Sequence, residues 1–282
     1  MILAGITIFN PDIEMLKKNI AAIIDQVDGV VCVDNGSTEI EVIEKDIQNE
    51  FPQVEVIKNH ANLGIAVALN QMFVFAKEHG FEWVLTLDQD SVCPDNLMTE
   101  YKRYMTFENL GSLCPVICNR NYENREVLDG EYTLMDKCIT SASLTPIQVW
   151  EAVGGFLEEL FIDFVDHDFS AKLIEQGYKI VRINSVLLEH EIGQGRDVCF
   201  LGKKITVLNH SPFRKYYMVR NAVYYMKQHK AVINVTTEKL KLMFLFIKTG
   251  LYENHRKEKL KEMFRGLKDA KAFCKEHVKQ KG

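Results

Sequence analysis

What most constrains this chain is the order of signals in its first ninety residues, where short apolar, β-branched runs alternate with helical patterns. Residues 2–9 read ILAGITIF, a buried-type strand, and Pro11 opens a helical stretch to about residue 26. Residues 30–33 (VVCV) form the next strand, followed by the turn cluster Asp34-Asn35-Gly36-Ser37. Helix is expected over 40–49, strand over 54–58, helix over 63–79 with Gly80 as its C-cap, and strand over 83–87. Strands that alternate with helices make a parallel sheet covered on both faces. Such sheets bind ligands beyond the carboxyl ends of their strands. The polar residues at those ends are Asn10, Asp34, Asn59 to Asn62, and Asp88 to Asp90.

Neither GxGxxG nor GxxxxGK[ST] is present, so the phosphates of any nucleotide bound here must be neutralised in another way. The acidic rim points to a divalent cation, Mg²⁺ or Mn²⁺, which prefers oxygen ligands and shares them with phosphates. Asp88-Gln89-Asp90 directly follows the apolar strand WVLTL, so both carboxylates can face one ion. Asp34, read alone, is an Asx-turn residue, although a carboxylate there can also accept from a base or a ribose hydroxyl. His190 follows the apolar residues 186–188 and offers an imidazole to the same ion. FIDFVDHDF (161–169) places three aspartates in six residues before a helical stretch over 170–176. N-capping accounts for one of them, and a carboxylate aimed into a cleft is what general-base catalysis on a hydroxyl requires.

The 282 residues suffice for one large α/β domain with an appendage, and 47% apolar with 26% charged residues excludes a disordered chain. No apolar stretch approaches the ~20 residues of a membrane-spanning helix, and the opening MILAGITIFN lacks a basic leader, so a protein kept inside the cell is expected. Seven scattered cysteines without a CxxC pair are expected to serve as small hydrophobes. The net charge of −5 hides a division: residues 203–282 hold 20 basic and 6 acidic side chains, and residues 1–202 hold 14 and 33. Apolar residues at helical spacing, with lysines around them, recur over 235–249 and 256–277. This is the pattern of interfacial helices on an anionic membrane, or of helices docked on the main domain.

Taken in order, TIFNP (7–11), VDNGS (33–37), NLGIAVALN (62–70), TLDQDS (86–91), ITSASL (139–144), VGGF (153–156), FIDFVDHDF (161–169), HEIG (190–193) and RKYYMVRN (214–221) make the chain resemble an inverting family-2 glycosyltransferase, most closely the bacterial L-rhamnosyltransferases. The resemblance implies a GT-A fold: an α/β, Rossmann-like, mostly parallel sheet flanked by helices, as a nucleotide-sugar-binding catalytic domain over 1–205. A basic amphipathic helical region would follow over 206–282. It implies Asp166 as catalytic base, with Phe9, Asn10, Asp34, Asn62, Gly64 and Asp88 about the donor nucleotide. Asp88, Asp90 and His190 would hold the divalent cation, and Asp163 and Ser141 would lie toward the acceptor. The implied reaction moves a sugar, L-rhamnose from dTDP-L-rhamnose, to a hydroxyl of a lipid-linked or cell-surface glycan precursor at the inner membrane face. UDP-hexoses, UDP-galactofuranose and a non-catalytic nucleotide- or glycan-binding module are the alternatives. Sugar-1-phosphate nucleotidyltransferases are set aside, because Phe9-Asn10-Pro11-Asp12 has neither glycine nor base to grip a triphosphate. Relatives often carry an acidic residue where Val165 stands, glycine at Ala142 and arginine at Lys172.

Overall fold

The computed structural model describes residues 1–119, 130–190, 195–200 and 202–278. The chain forms two compact units. Residues 1–161 and 169–191 make the first, and residues 162–168 with 192–282 make the second.

The first unit begins as the alternating signals require: β1 Ile2–Ile8, α1 Ile13–Ile24, β2 Gly29–Asp34, α2 Ile40–Glu50, β3 Glu55–Lys58, α3 Ile65–Glu78 and β4 Trp83–Asp88. All seven residues of β1 are buried, as the centre of a sheet covered on both faces demands. After α4 (Leu97–Lys102) come β5 Leu110–Asn119, β6 Tyr132–Met135, β7 Ser143–Pro146, α5 Ile147–Val153, a 3₁₀ turn at Glu158–Leu160, α6 Val165–Glu175 and β8 Lys179–His190. Among the described residues the sheet has eight strands, in the order β3-β2-β1-β4-β7-β5-β8-β6. Strands β3, β2, β1, β4, β5 and β8 share one direction, while β7 and β6 run against it. The core is Ile6, Ile8, Leu16, Ile20, Leu85, Leu97, Leu144 and their neighbours.

The helix expected from residue 170 starts earlier, at Val165, so the boundary between the units falls inside α6. Its first turn closes when the Asp168 amide donates to the Phe164 carbonyl at 2.8 Å. All seven cysteines are free, and burial pushes the thiols of Cys32 and Cys93 up to about 12, as expected of inert filler.

The second unit adds a β9 Arg196–Phe200 and β10 Lys203–Val207 pair to three helices, α7 Pro212–Gln228, α8 Val235–Tyr252 and α9 Arg256–His277. Helix α7 starts at Pro212 behind an N-cap Ser211, whose side chain accepts from the Arg214 amide. Gly266 lets α9 lie directly on α7, because a Cβ there would stand 2.6 Å from the Tyr216 carbonyl oxygen. Lys215 and Lys259 share Glu253 in the interior of this unit, at 2.5 and 3.0 Å. One carboxylate faces two ammoniums. Burial therefore pushes Lys215 below its usual value despite Glu253, and Glu253, which burial alone would push up, is held below its own by the two lysines.

Candidate active site

Strands β3, β2, β1 and β4 lie side by side in the sheet, so the loops leaving their carboxyl ends meet along one rim of the first unit. The register pairs Ile8 with Asp34, Asp34 with Lys58, and Thr7 with Asp88. Side-chain amides and hydroxyls stitch these loops together. The Phe9 amide donates to Gln89 Oε1 at 2.8 Å, and the Asn10 amide to Ser37 Oγ at 2.7 Å. Asn10, held in the left-handed region (φ 45°), accepts in return from the Thr38 amide at 2.9 Å. Asn35 donates to Asn62 Oδ1 at 3.1 Å and accepts from the Leu63 amide at 3.0 Å, and Asn62 Oδ1 also takes the Gly64 amide. Gly64 (φ 91°) leads into α3 where a Cβ would stand 2.7 Å from the Phe161 carbonyl oxygen.

Phe9, Asn10, Asn62 and Asp90 are exposed on this rim, and Asp88 is half-buried. Asp34 is fully buried, and its carboxylate accepts from the amides of Gly36 and Ser37 at 3.0–3.1 Å, which is the Asx-turn arrangement. Asn19, which sequence reasoning passed over, donates to the Asp88 carbonyl at 2.7 Å and so holds the end of β4. Ser141 is also fully buried, with its Oγ 2.6 Å from that of Ser91. Asp88 and Asp90 offer the oxygen donors that Mg²⁺ and Mn²⁺ take. Among the described residues no three His, Cys, Asp or Glu side chains group to hold an ion by themselves. His190 closes β8, paired in register with Asn119, but its side chain and residues 191–193 of the HEIG motif lie outside the described residues.

In the second unit, the three aspartates of FIDFVDHDF meet three different environments. Asp163 accepts from Arg214 Nε and Nη2 at 3.0–3.2 Å, a bidentate pair. Asp168 is fully buried against His229 Nε2 at 2.8 Å and the Tyr224 hydroxyl at 3.2 Å. Asp166 stays half-buried in the first turn of α6; it accepts from the His167 amide at 2.8 Å, and His167 Nδ1 lies 3.7 Å away. The backbone just before it is strained. Asp163 (φ 62°) and Phe164 (φ 66°) occupy the left-handed region, at about 1–3 kcal/mol each. Asn221, fully buried on α7, donates from Nδ2 to the Ile162 and Asp163 carbonyls at 2.9 Å each. Arg214 and Asn221 were passed over in the sequence; both belong to RKYYMVRN, the signal that could have found them.

A model of glycosyl transferase family 2 matches residues 4–156, just over half of the chain. A dTDP-rhamnosyl transferase, RfbF of Shigella flexneri, is 28% identical over 278 residues, covering 93% of this chain and 91% of its own. Among solved structures, residues 1–349 of S. aureus TarS align over 95% of this chain and 80% of their own, with a TM-score of 0.61 at 15% identity. A mannosyltransferase of Pyrobaculum calidifontis, solved with GDP-Man and Mn²⁺, covers 96% of this chain and 75% of its own, with a TM-score of 0.59 at 12% identity. These two likenesses agree with the sheet order in assigning the GT-A fold. With that fold, that family match and a dTDP-rhamnosyl transferase among its relatives, the chain belongs to glycosyl transferase family 2 and is a glycosyltransferase close to the rhamnosyltransferases.

Proposed function

We propose that this glycosyltransferase moves L-rhamnose from dTDP-L-rhamnose to a hydroxyl of a cell-surface glycan precursor, with inversion at the anomeric carbon and Asp166 as the base. The observation that carries the base assignment is the division of labour among three neighbouring aspartates. Asp163 is held by Arg214 and Asp168 by His229 and Tyr224, while the Asp166 carboxylate accepts a single backbone amide among the described residues. The donor assignment rests on the likeness to the Shigella enzyme.

In this reading the acceptor hydroxyl gives its proton to the Asp166 carboxylate as its oxygen forms the bond to the anomeric carbon. The bond from that carbon to the diphosphate oxygen breaks, and the nucleotide diphosphate leaves with the electron pair. Attack from the face opposite the leaving group inverts the centre. Phe9, Asn10, Asn62 and Gly64 line the nucleotide, and Asp34 acts through the turn it closes. Asp88 and Asp90, with His190, would hold a Mg²⁺ or Mn²⁺ whose charge, when bound, offsets that of the diphosphate. Of the residues expected toward the acceptor, Asp163 is held by Arg214 and Ser141 by Ser91.

The second unit supports a place on the inner face of the cell membrane. No helix among the described residues is long and apolar enough to cross a membrane. Leu240, Met243, Ile247 and Leu251 nevertheless form an exposed stripe along α8, and Phe264 and Leu267 lie exposed on α9 among its many lysines. An anionic leaflet complements that charge.

The test compares Asp166→Asn and Asp90→Ala with the parent. Asp166→Asn is expected to bind donor normally and to lose transfer by ~10²-fold or more; unchanged turnover removes Asp166 from the role. Asp90→Ala is expected to weaken cation-dependent donor binding, and full turnover in excess chelator contradicts the cation. For the membrane, sedimentation with anionic liposomes is expected to weaken with salt, and an absence of binding by the full chain refutes it.

A further inference from the structure

Resting on the assignment of Asp166 as base, we infer that helix α7 is the positioning element of catalysis: its Arg214 and Asn221 grip the residues just before Asp166, while Tyr224 and the capping His229 grip the residue two places after it. The juxtaposition follows from helix spacing. Residues 214, 221 and 224 recur at seven and three, which puts them on one side of α7. From that side Arg214 takes the Asp163 carboxylate with two nitrogens, and Asn221 takes the carbonyls of Ile162 and Asp163 with one. Arg220 Nε in turn donates to Asn221 Oδ1 at 2.9 Å, which fixes the amide with its NH₂ toward the loop. Arg220 is itself pinned over the Phe273 ring of α9, with its guanidinium carbon 4.1 Å from the ring centre.

The segment held in this way has no local reason to keep its shape. A phenylalanine in the left-handed region is an outlier that persists only where its surroundings over-determine it. Asn221 supplies donors to two successive carbonyls at this bend, and Asp168 anchors the first turn of α6 from the other side. Asp166 is thus fixed from both flanks by groups that do not touch its carboxylate. A proton acceptor must sit within hydrogen-bond reach of the attacking hydroxyl, and a displacement of about 1 Å can slow such a step by ~10²-fold. The grip therefore acts on turnover and leaves donor affinity, which belongs to the strand-end rim, unchanged.

The experiment measures kcat, donor KM and thermal stability for Arg214→Gln, Arg214→Lys and Asn221→Ala beside Asp166→Asn. Expected are a fall in kcat of about 10- to 100-fold for Arg214→Gln and Asn221→Ala, with donor KM within about twofold, and partial recovery in Arg214→Lys, which keeps the charge but loses the fork. Asn221 is fully buried; if Asn221→Ala does not fold, the half-exposed Arg214 pair decides. Folded variants with parental kcat, beside an inactive Asp166→Asn, overturn the inference. So does a loss of activity that only tracks the loss of folded protein. Parental turnover by Asp166→Asn instead removes the base assignment and leaves the grip a purely structural one.

Discussion

Among the described residues, the polar side chains buried in the first unit are serines, threonines and asparagines, with Asp34 alone carrying charge; six of the eight buried in the second, Asp168, Lys215, Arg220, His229, Glu253 and Lys259, are ionisable. The contrast reflects what each unit has to hold. The first has a wide apolar sheet and needs only short neutral bonds to tie its loops, each of which adds about 1 kcal/mol. The second has three helices, one short hairpin and a strained loop held by α7 and its cap. Its buried ion pairs contribute little net stability, because desolvation offsets their attraction, but each is costly to break on one side only.

The largest way to break this comparison is Glu253→Gln. It strands Lys215 and Lys259 without a counter-charge and is expected to destabilise the second unit by about 3–5 kcal/mol. Both tryptophans, Trp83 and Trp150, lie in the first unit, so fluorescence follows the sheet while hydrogen exchange in α7 to α9 follows the helices. A loss below about 1 kcal/mol would mean that the carboxylate is not what keeps the two ammoniums buried.

Acidification sharpens the comparison less abruptly. Burial, and next the Arg214 guanidinium, lower His210 to about 4, although Asp163 pulls the other way. The unfolded chain, with histidine near its ordinary ~6.5, therefore binds more protons between these values. Stability contributed by neutral His210 is complete above about pH 6.5 and is lost as pH falls toward 4. Helix protection measured across that window is expected to fall, and in His210→Gln the same window should be flatter; an identical slope in both proteins excludes His210.

The smallest effect belongs to the first unit. Ala142 sits at φ 55°, where a Cβ is unwelcome, and the Tyr101 hydroxyl fixes its carbonyl at 2.8 Å. Ala142→Gly is expected to add about 1 kcal/mol of stability, read from the tryptophan transition, by relieving that strain. No gain would place the strain elsewhere in the loop.

The left-handed geometry at residue 142 also gives a physical reason for the glycine that the resemblance leads one to expect there. Other parts of the fold were legible for equally local reasons. The strand–helix alternation placed β1 to β4 within a residue or two, and the helical spacing over 256–277 matched α9 at both ends. What the sequence withheld was pairing across distance. Nothing near residue 163 says that its carboxylate belongs to Arg214, 51 residues on, or that Asp168 belongs to His229, 61 residues on. The resemblance set Asp166 apart as base and Asp163 toward the acceptor, but the partners of Asp163 and Asp168 came only with α7 and its cap. The rim was read as a row of strand-end residues, but the bonds that align it, Gln89 to Phe9 and Asn35 to Asn62, depend on which strands are neighbours.

Residues 162–168 lie in the middle of the chain yet belong to the C-terminal unit. An engineer who exchanges everything after residue 191 for the counterpart from another enzyme would leave those seven residues facing a stranger. A working chimera has three junctions, after residues 161, 168 and 191, so the transplant must carry a short internal patch along with the tail.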